Sequence, residues 1–197
     1  MGNLGSIVNM LKRIGVEVQI SCDPTVIRRA DSLILPGVGA FQSGMRNLEA
    51  RGLVKILEEK VLGGKTPILG LCLGMQLFGQ HSEEGEGAGL GWLQADTVHF
   101  RFGQGASLRV PHMGWNMVRI CRKHALLTGI EDCPRFYFVH SYHLVCYDPD
   151  AVVASAEYGY DFPAIVAKDN IMGVQFHPEK SHRYGMQLLG NFISLRC

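Results

Sequence analysis

Apolar residues recur at helical spacing over residues 6–14, where Ile7, Met10, Leu11 and Ile14 share one face. Strict alternation follows over residues 16–20, with Val16, Val18 and Ile20 separated by Glu17 and Gln19, and predicts a short strand. Asp23-Pro24 then turns the chain. A second helix is predicted over residues 25–30, followed by a buried strand, Leu33-Ile34-Leu35, that ends at Pro36. Helical spacing returns at Phe41, Met45 and Leu48, then at Leu53, Ile56, Leu57 and Val61, until Gly63-Gly64 stops it. Residues 67–71 form another buried strand. Short apolar strands alternating with helices specify an α/β layered fold with a largely parallel sheet.

The second half is richer in strands. Residues 97–100, 116–121, 135–139 and 152–156 are strand-like, and residues 164–168 and 171–176 flank Asp169-Asn170, a good hairpin turn. These segments are expected to extend the sheet with antiparallel strands. A closing helix is predicted near Ser181 as its N-cap, with Tyr184, Leu188, Leu189, Phe192 and Ile193 on the apolar face. Neither a repeat nor a linker interrupts the pattern, so residues 1–197 are expected to form one domain.

Composition narrows the function more than the fold. Hydrophobic residues make up 47% and charged residues 19% of the chain, ordinary values for a globular protein. A net charge of +1 offers no field of one sign to attract nucleic acid or an anionic membrane. No apolar run approaches the roughly 20 residues that span a bilayer. Lys12 and Arg13 follow the first apolar stretch, the reverse of a signal peptide. The cysteines, Cys22, Cys72, Cys121, Cys133, Cys146 and Cys197, include no Cys-x-x-Cys pair and match neither a disulfide framework nor a zinc site. Free thiols in a reducing cytosol are expected.

Cys72 stands apart from the others. In Pro67-Ile68-Leu69-Gly70-Leu71-Cys72-Leu73-Gly74-Met75-Gln76 a buried strand runs through Gly-x-Cys-x-Gly into a helix, the thiol version of a nucleophile elbow. A cysteine at that helix start is favoured as thiolate by the helix dipole. The bland reading is a core cysteine between two packing glycines. In Val174-Gln175-Phe176-His177-Pro178-Glu179 a strand delivers His177 and Glu179 into a loop on the same side of an extended segment. A nucleophilic cysteine needs such a base, and the base needs a carboxylate to fix its tautomer. Leu35-Pro36-Gly37-Val38-Gly39 ends a strand with two glycines whose backbone N–H groups can approach an oxyanion, together with that of Leu73. On its own Pro-Gly-x-Gly is equally a strand-ending turn.

Two other patterns lead away from metals and cofactors, and none of either is expected. His140 and His143 resemble a metal pair, but three residues apart on one strand they would point to opposite faces. The glycine-rich residues 85–91 miss the Gly-x-Gly-x-x-Gly spacing and follow no strand, which predicts a mobile loop instead of a dinucleotide cradle.

The three segments together resemble the class I, triad-type glutamine amidotransferases, and the likeness runs from Gly2 to the C-terminus. Gly70-Leu71-Cys72-Leu73-Gly74-Met75-Gln76 matches the family's nucleophile motif, and Phe176-His177-Pro178-Glu179 its base-and-acid motif. Within the family the chain is most similar to the glutaminase subunits of imidazole glycerol phosphate synthases. That likeness rests on Met1-Gly2-Asn3, Leu35-Pro36-Gly37-Val38-Gly39-Ala40-Phe41, Val110-Pro111-His112-Met113-Gly114-Trp115-Asn116 and His177-Pro178-Glu179-Lys180-Ser181.

The resemblance implies a three-layer α/β/α, flavodoxin-like fold and a Cys72–His177–Glu179 triad that hydrolyses glutamine. It implies that the backbone of Gly37, Val38, Gly39 and Leu73 serves the oxyanion, and that Gln76 with the Ser141-Tyr142 backbone binds the amino-acid end of glutamine. Gln76 also reads as an ordinary helix residue. Ammonia would pass to a docked (β/α)8-barrel cyclase of the histidine pathway, with Asn3, Trp115, Asn116 and Lys180 at the interface. Trp115 equally suits core packing. The family pattern has a strand before Met1, so the first strand of the sheet is expected to be missing.

Three rivals remain at this point. One is a paralogous glutaminase feeding a sugar amidotransferase of surface-polysaccharide synthesis. The second is a silent regulatory protein on the same fold, and the third a cysteine peptidase of similar fold.

Overall fold

The computed structural model describes residues 4–103 and 107–195. The chain opens with α1 (Leu4–Ile14), which buries Ile7 and Leu11, and α2 (Pro24–Arg29), capped by the Asp23 carboxylate accepting from Thr25 N–H. Next come β1 (Leu33–Gly37), α3 (Phe41–Ala50), and α4 (Leu53–Glu58) with a π turn at its end. β2 (Ile68–Cys72) then leads directly into the single-turn α5 (Leu73–Gln76). Strands dominate from there: β3 (Ala95–His99), β4 (His112–Met117), β5 (Arg119–Ile120), β6 (Arg135–His140) and β7 (Tyr142–Cys146). β8 (Val152–Glu157), β9 (Asp161–Lys168), β10 (Ile171–Val174) and α6 (His182–Ser194) complete the order.

The main sheet has six strands in the order β1-β2-β10-β9-β8-β5. β1, β2 and β10 are parallel to one another, and β9, β8 and β5 continue the sheet antiparallel. The sheet is therefore mixed, and its parallel part is the half that carries the elbow. β3 pairs with β7, and β4 with β6, in separate two-stranded ladders. Successive residues of the buried strands face opposite layers. Ile68 and Val166 pack with α3 and α4 residues such as Phe41, Met45 and Leu57, whereas Leu69, Leu71, Ile165 and Ala167 pack with Ile7, Leu11, Leu188 and Phe192 of α1 and α6. Apolar residues on both faces of the sheet are what a helix layer on each side requires. Among the described residues no helix is long and apolar enough to cross a membrane.

Four local expectations need correction. The alternating segment at residues 16–20 is extended but joins no ladder among the described residues; only Val18 packs on the core, and Ile20 is exposed. Alternation signals a pleated surface, but a strand also needs a neighbour for its N–H and C=O groups. The segment at residues 116–121 splits at the buried Val118, whose N–H donates to Pro134 O, into β4 and β5. β7 was not foreseen, and the break at Ser141 puts His140 and His143 on two strands. Their rings consequently lie on the same side, both against Phe100. Ser181 precedes α6, but its hydroxyl makes no cap; it donates to His177 O and accepts from Tyr137 N–H.

Candidate active site

The parallel ladders set the site's geometry. Gly37 is registered with Cys72 between β1 and β2, and Val174 with Leu71 between β10 and β2. Three strands therefore end side by side, so the loops after β1 and β10 converge on the residue that ends β2. In open α/β sheets this carboxyl edge is where ligands bind.

Cys72 occupies a backbone conformation of φ 52°, ψ −110°, a region that costs a side-chain-bearing residue conformational energy. The flanking glycines make the turn possible. A Cβ on Gly70 would lie 2.6 Å from Met75 N, and one on Gly74 would run into the backbone oxygen of Leu35. Strand and helix thus approach too closely for any side chain, and the thiol is left at the tip of the turn.

His177 and Glu179 follow β10. The His177 N–H donates to Tyr137 O, and Nδ1 lies 2.8 Å from Glu179 Oε1, with both side chains almost fully buried. Burial alone would push this imidazole down. The Cys72 and Glu179 side chains outweigh it, and the ring is raised from 6.5 to about 9. Nδ1 being committed to Glu179, Nε2 is the nitrogen left to Cys72. It is buried and makes no hydrogen bond among the described residues.

A cavity of about 680 Å³ opens over these residues. Cys72, His177 and Glu179 line it, as do Val38, Gly39, Leu73, Gln76, Ser141, Tyr142 and Lys180. Gly37 does not. It is packed against the elbow, where an added Cβ would sit 2.6 Å from Gly74 N. Its role in the fold is close approach, and the backbone exposed to the cavity begins one residue later.

Three features of the site escaped the sequence. Glu84 lines the cavity with a carboxylate whose Oε2 accepts from Phe41 N–H at 2.7 Å. Nothing in its glycine-rich surroundings distinguishes it from a solvated acid. Those surroundings are tied down, Gly89 N–H donating to Gln80 O. Gln175 is fully buried beside Cys72. Finally, Asn116 Nδ2 approaches His112 Nε2 at 3.3 Å, His112 Nδ1 approaches His140 Nε2 at 3.0 Å, and His140 Nδ1 lies 2.8 Å from Tyr142 O. Only one tautomer assignment satisfies this row. The Asn116 amide donates to His112, His112 Nδ1–H to His140, and His140 Nδ1–H to the Tyr142 carbonyl.

Of the predicted interface residues, Asn3 lies outside the described residues. Trp115 is not in the core; it is exposed, and its ring stacks on His182 at 5.3 Å. Met113 and Met117, on the same face of β4, are exposed beside it. Asn116 points the other way and spends its amide within the chain, on Glu157 O and His112. Lys180 is exposed, with Nζ 5.2 Å from the Tyr137 ring centroid.

A mixed sheet between helix layers, with a strained cysteine beside a His–Glu pair on its carboxyl edge, defines an α/β protein with a cysteine-centred candidate site. The family model described as glutamine amidotransferase class-I matches residues 2–195. The chain belongs to that family. It is 50% identical to "Imidazole glycerol phosphate synthase subunit HisH 2" of Pseudomonas aeruginosa, covering 99% of this chain and 96% of that protein. A protein of the same name from Methanococcus maripaludis is 51% identical over 98% of this chain and 95% of its own length. Among solved structures, a glutamine amidotransferase superposes with a TM-score of 0.77 at 20% identity, covering 99% of this chain and 94% of the other. A putative GMP synthase subunit from Thermoplasma acidophilum gives 0.71 at 19% identity, covering 98% and 88%. At such identities the structural likeness speaks for the fold alone.

Proposed function

We propose that this chain is the glutaminase subunit of an imidazole glycerol phosphate synthase, with Cys72, His177 and Glu179 as its catalytic triad. The observation that carries the triad is the buried His177–Glu179 pair beside a cysteine held in a strained turn. The assignment to that synthase draws on the names of relatives about 50% identical over nearly the whole chain.

With the His177 ring raised to about 9, the imidazole carries its proton at neutral pH, and the nucleophilic form of Cys72 is its thiolate. The Cys72 thiolate attacks the carboxamide carbon of glutamine, and negative charge moves to the carbonyl oxygen. The backbone N–H groups of Leu73 and of the Val38-Gly39 segment are the donors available to that oxygen. As the tetrahedral intermediate collapses, the C–N bond breaks and the Nε2 proton of His177 passes to the leaving nitrogen. Ammonia departs and a γ-glutamyl thioester remains. Neutral His177 then takes a proton from water, whose oxygen attacks the thioester. The thiolate is expelled, glutamate forms, and the imidazolium is restored. Glu179 fixes the ring through Nδ1 throughout. Gln76, the Ser141-Tyr142 backbone and the carboxylate of Glu84 hold the amino-acid end, with Glu84 suited to the α-ammonium.

Ammonia is protonated in water at neutral pH, which favours direct transfer to a docked acceptor. The exposed Met113, Trp115 and Met117, with Lys180 at the cavity edge, supply a surface for a (β/α)8-barrel cyclase subunit in a heterodimer. The described cysteines are free thiols, as suits a reducing cytoplasm.

The test is ammonia release from glutamine, measured alone and with the cyclase and its ribulosyl ligand, with Cys72→Ala as the control. Stimulation by the liganded cyclase that disappears in Cys72→Ala is expected. Its absence in a folded chain would refute the histidine-pathway assignment and favour a sugar amidotransferase as acceptor.

A further inference from the structure

Gln175 has no part in the triad, yet it is fully buried next to the nucleophile. Its Nε2 lies 3.6 Å from Cys72 Sγ, a normal separation for an N–H donor to sulfur, and its Oε1 lies 3.1 Å from Gln76 Nε2. The orientation of both amides is fixed by where the chain of bonds ends. Gln76 Nε2 also lies 2.9 Å from Tyr142 O, and a carbonyl can only accept. That end of Gln76 must therefore be its NH2, and the Gln175 atom facing it must be oxygen. The NH2 of Gln175 is then turned to the sulfur. Tyr142 O also accepts from His140 Nδ1, so two donors occupy its two lone pairs and it anchors the row firmly.

We infer that Gln175 is a positioning residue for the nucleophile, donating a hydrogen bond that holds the Cys72 thiolate and couples it, through Gln76, to the backbone proposed to bind the amino-acid end of glutamine. A donor to sulfur favours its charged form, because a thiolate accepts a hydrogen bond far better than a thiol. The imidazolium of His177 supplies the charge. An apolar side chain of the same length at position 175 would fill the space and leave the sulfur with His177 alone. A glutamate there would set a carboxylate against the sulfur.

This inference rests on Cys72 being the nucleophile, and its test needs no glutamine. Site-resolved alkylation of Cys72 by iodoacetamide, followed by mass spectrometry across pH, is compared in the native chain, Gln175→Met and Gln175→Glu. Thermal unfolding confirms that each variant is folded. In Gln175→Met the rate at neutral pH is expected to fall about tenfold, with the profile displaced to higher pH and its plateau unchanged. Gln175→Glu, the isosteric variant, should be slower still. Glutaminase assays should show the loss in kcat with little change in KM. Superimposable alkylation profiles in the native chain and a folded Gln175→Glu would overturn the inference and leave Gln175 a packing residue. A displaced profile in a chain whose native form releases no ammonia would uphold the hydrogen bond while refuting the glutaminase reading.

Discussion

Two groups of buried histidines sit close together in this molecule and behave in opposite ways. His177 follows the parallel strand β10; His112 and His140 belong to the antiparallel β4–β6 ladder. Their exposures are nearly equal, at 5%, 3% and 6%. Yet His177 is raised to about 9, while burial pushes His112 down to about 4 and His140 to about 3. Burial therefore does not separate them. The difference lies in the neighbours: His177 has a carboxylate at 2.8 Å and the Cys72 side chain, whereas His112 and His140 have each other, an amide and a carbonyl. A charged partner makes a histidine an acid–base group, and neutral partners make it a fixed donor and acceptor. The parallel half of the fold thus supplies the proposed chemistry. The antiparallel half holds the peptide proposed to receive the substrate.

The largest effect is expected from removing the charge that distinguishes the two groups. Glu179→Gln keeps the size of the side chain but leaves His177 with a neutral partner, as His112 and His140 have. The imidazole should fall from about 9, with only the Cys72 side chain left to oppose burial, readable by NMR titration of the ring. With the acid–base function impaired, kcat should drop on the order of 10²-fold or more, while KM for glutamine changes little. A Glu179→Gln chain with native kcat would show that the carboxylate does not set the state of His177.

An intermediate effect should come from the other group. His140→Leu removes one of the two donors to Tyr142 O and strands the Nδ1–H of His112. The Gln76 bond to the same carbonyl survives, so the peptide is loosened rather than released. One neutral hydrogen bond has a net value of about 1 kcal/mol. KM for glutamine is therefore expected to rise about fivefold, with kcat within about twofold of native. A fall in kcat at constant KM would place His140 with the triad and erase the division between the two halves.

The sequence disclosed these two groups unequally. Cys72 between Gly70 and Gly74, and His177 two residues from Glu179, are local patterns whose spacing carries their geometry. The layered α/β character was legible for the same reason, through apolar periodicity, and the three-layer form through the family resemblance. Residues whose meaning depends on distant partners were not legible. His112 meets His140 only because β4 and β6 pair, and Gln175 meets Cys72 only because β10 lies beside β2. His140 and His143 looked opposed because the break between β6 and β7 at Ser141 has no glycine or proline to announce it. The alternation at residues 16–20 carried the strand period without a ladder partner among the described residues. Local chemistry is written in spacing, whereas the support around it is written in pairing.

The smallest effect is thermodynamic, and it shows both groups at once. Between about pH 6.5 and 9 folded His177 keeps a proton that the unfolded chain has released, so its contribution is complete below 6.5 and lost as pH rises through about 9. His112 and His140 do the reverse. Below about 6.5 the unfolded chain binds protons that the folded chain refuses until about 4 and 3, so stability falls as the solution is acidified. The histidines together predict a maximum near pH 6.5, with an alkaline limb from His177 and an acid limb from His112 and His140, to which His124 and His143, also lowered by burial, add. Urea unfolding across pH should resolve the limbs. Glu179→Gln should reduce the alkaline limb and leave the acid one, while His112→Phe combined with His140→Leu should reduce the acid limb alone. If either variant changed both limbs equally, the two groups would be one coupled unit, and the contrast between them would reflect a shared titration instead of two environments.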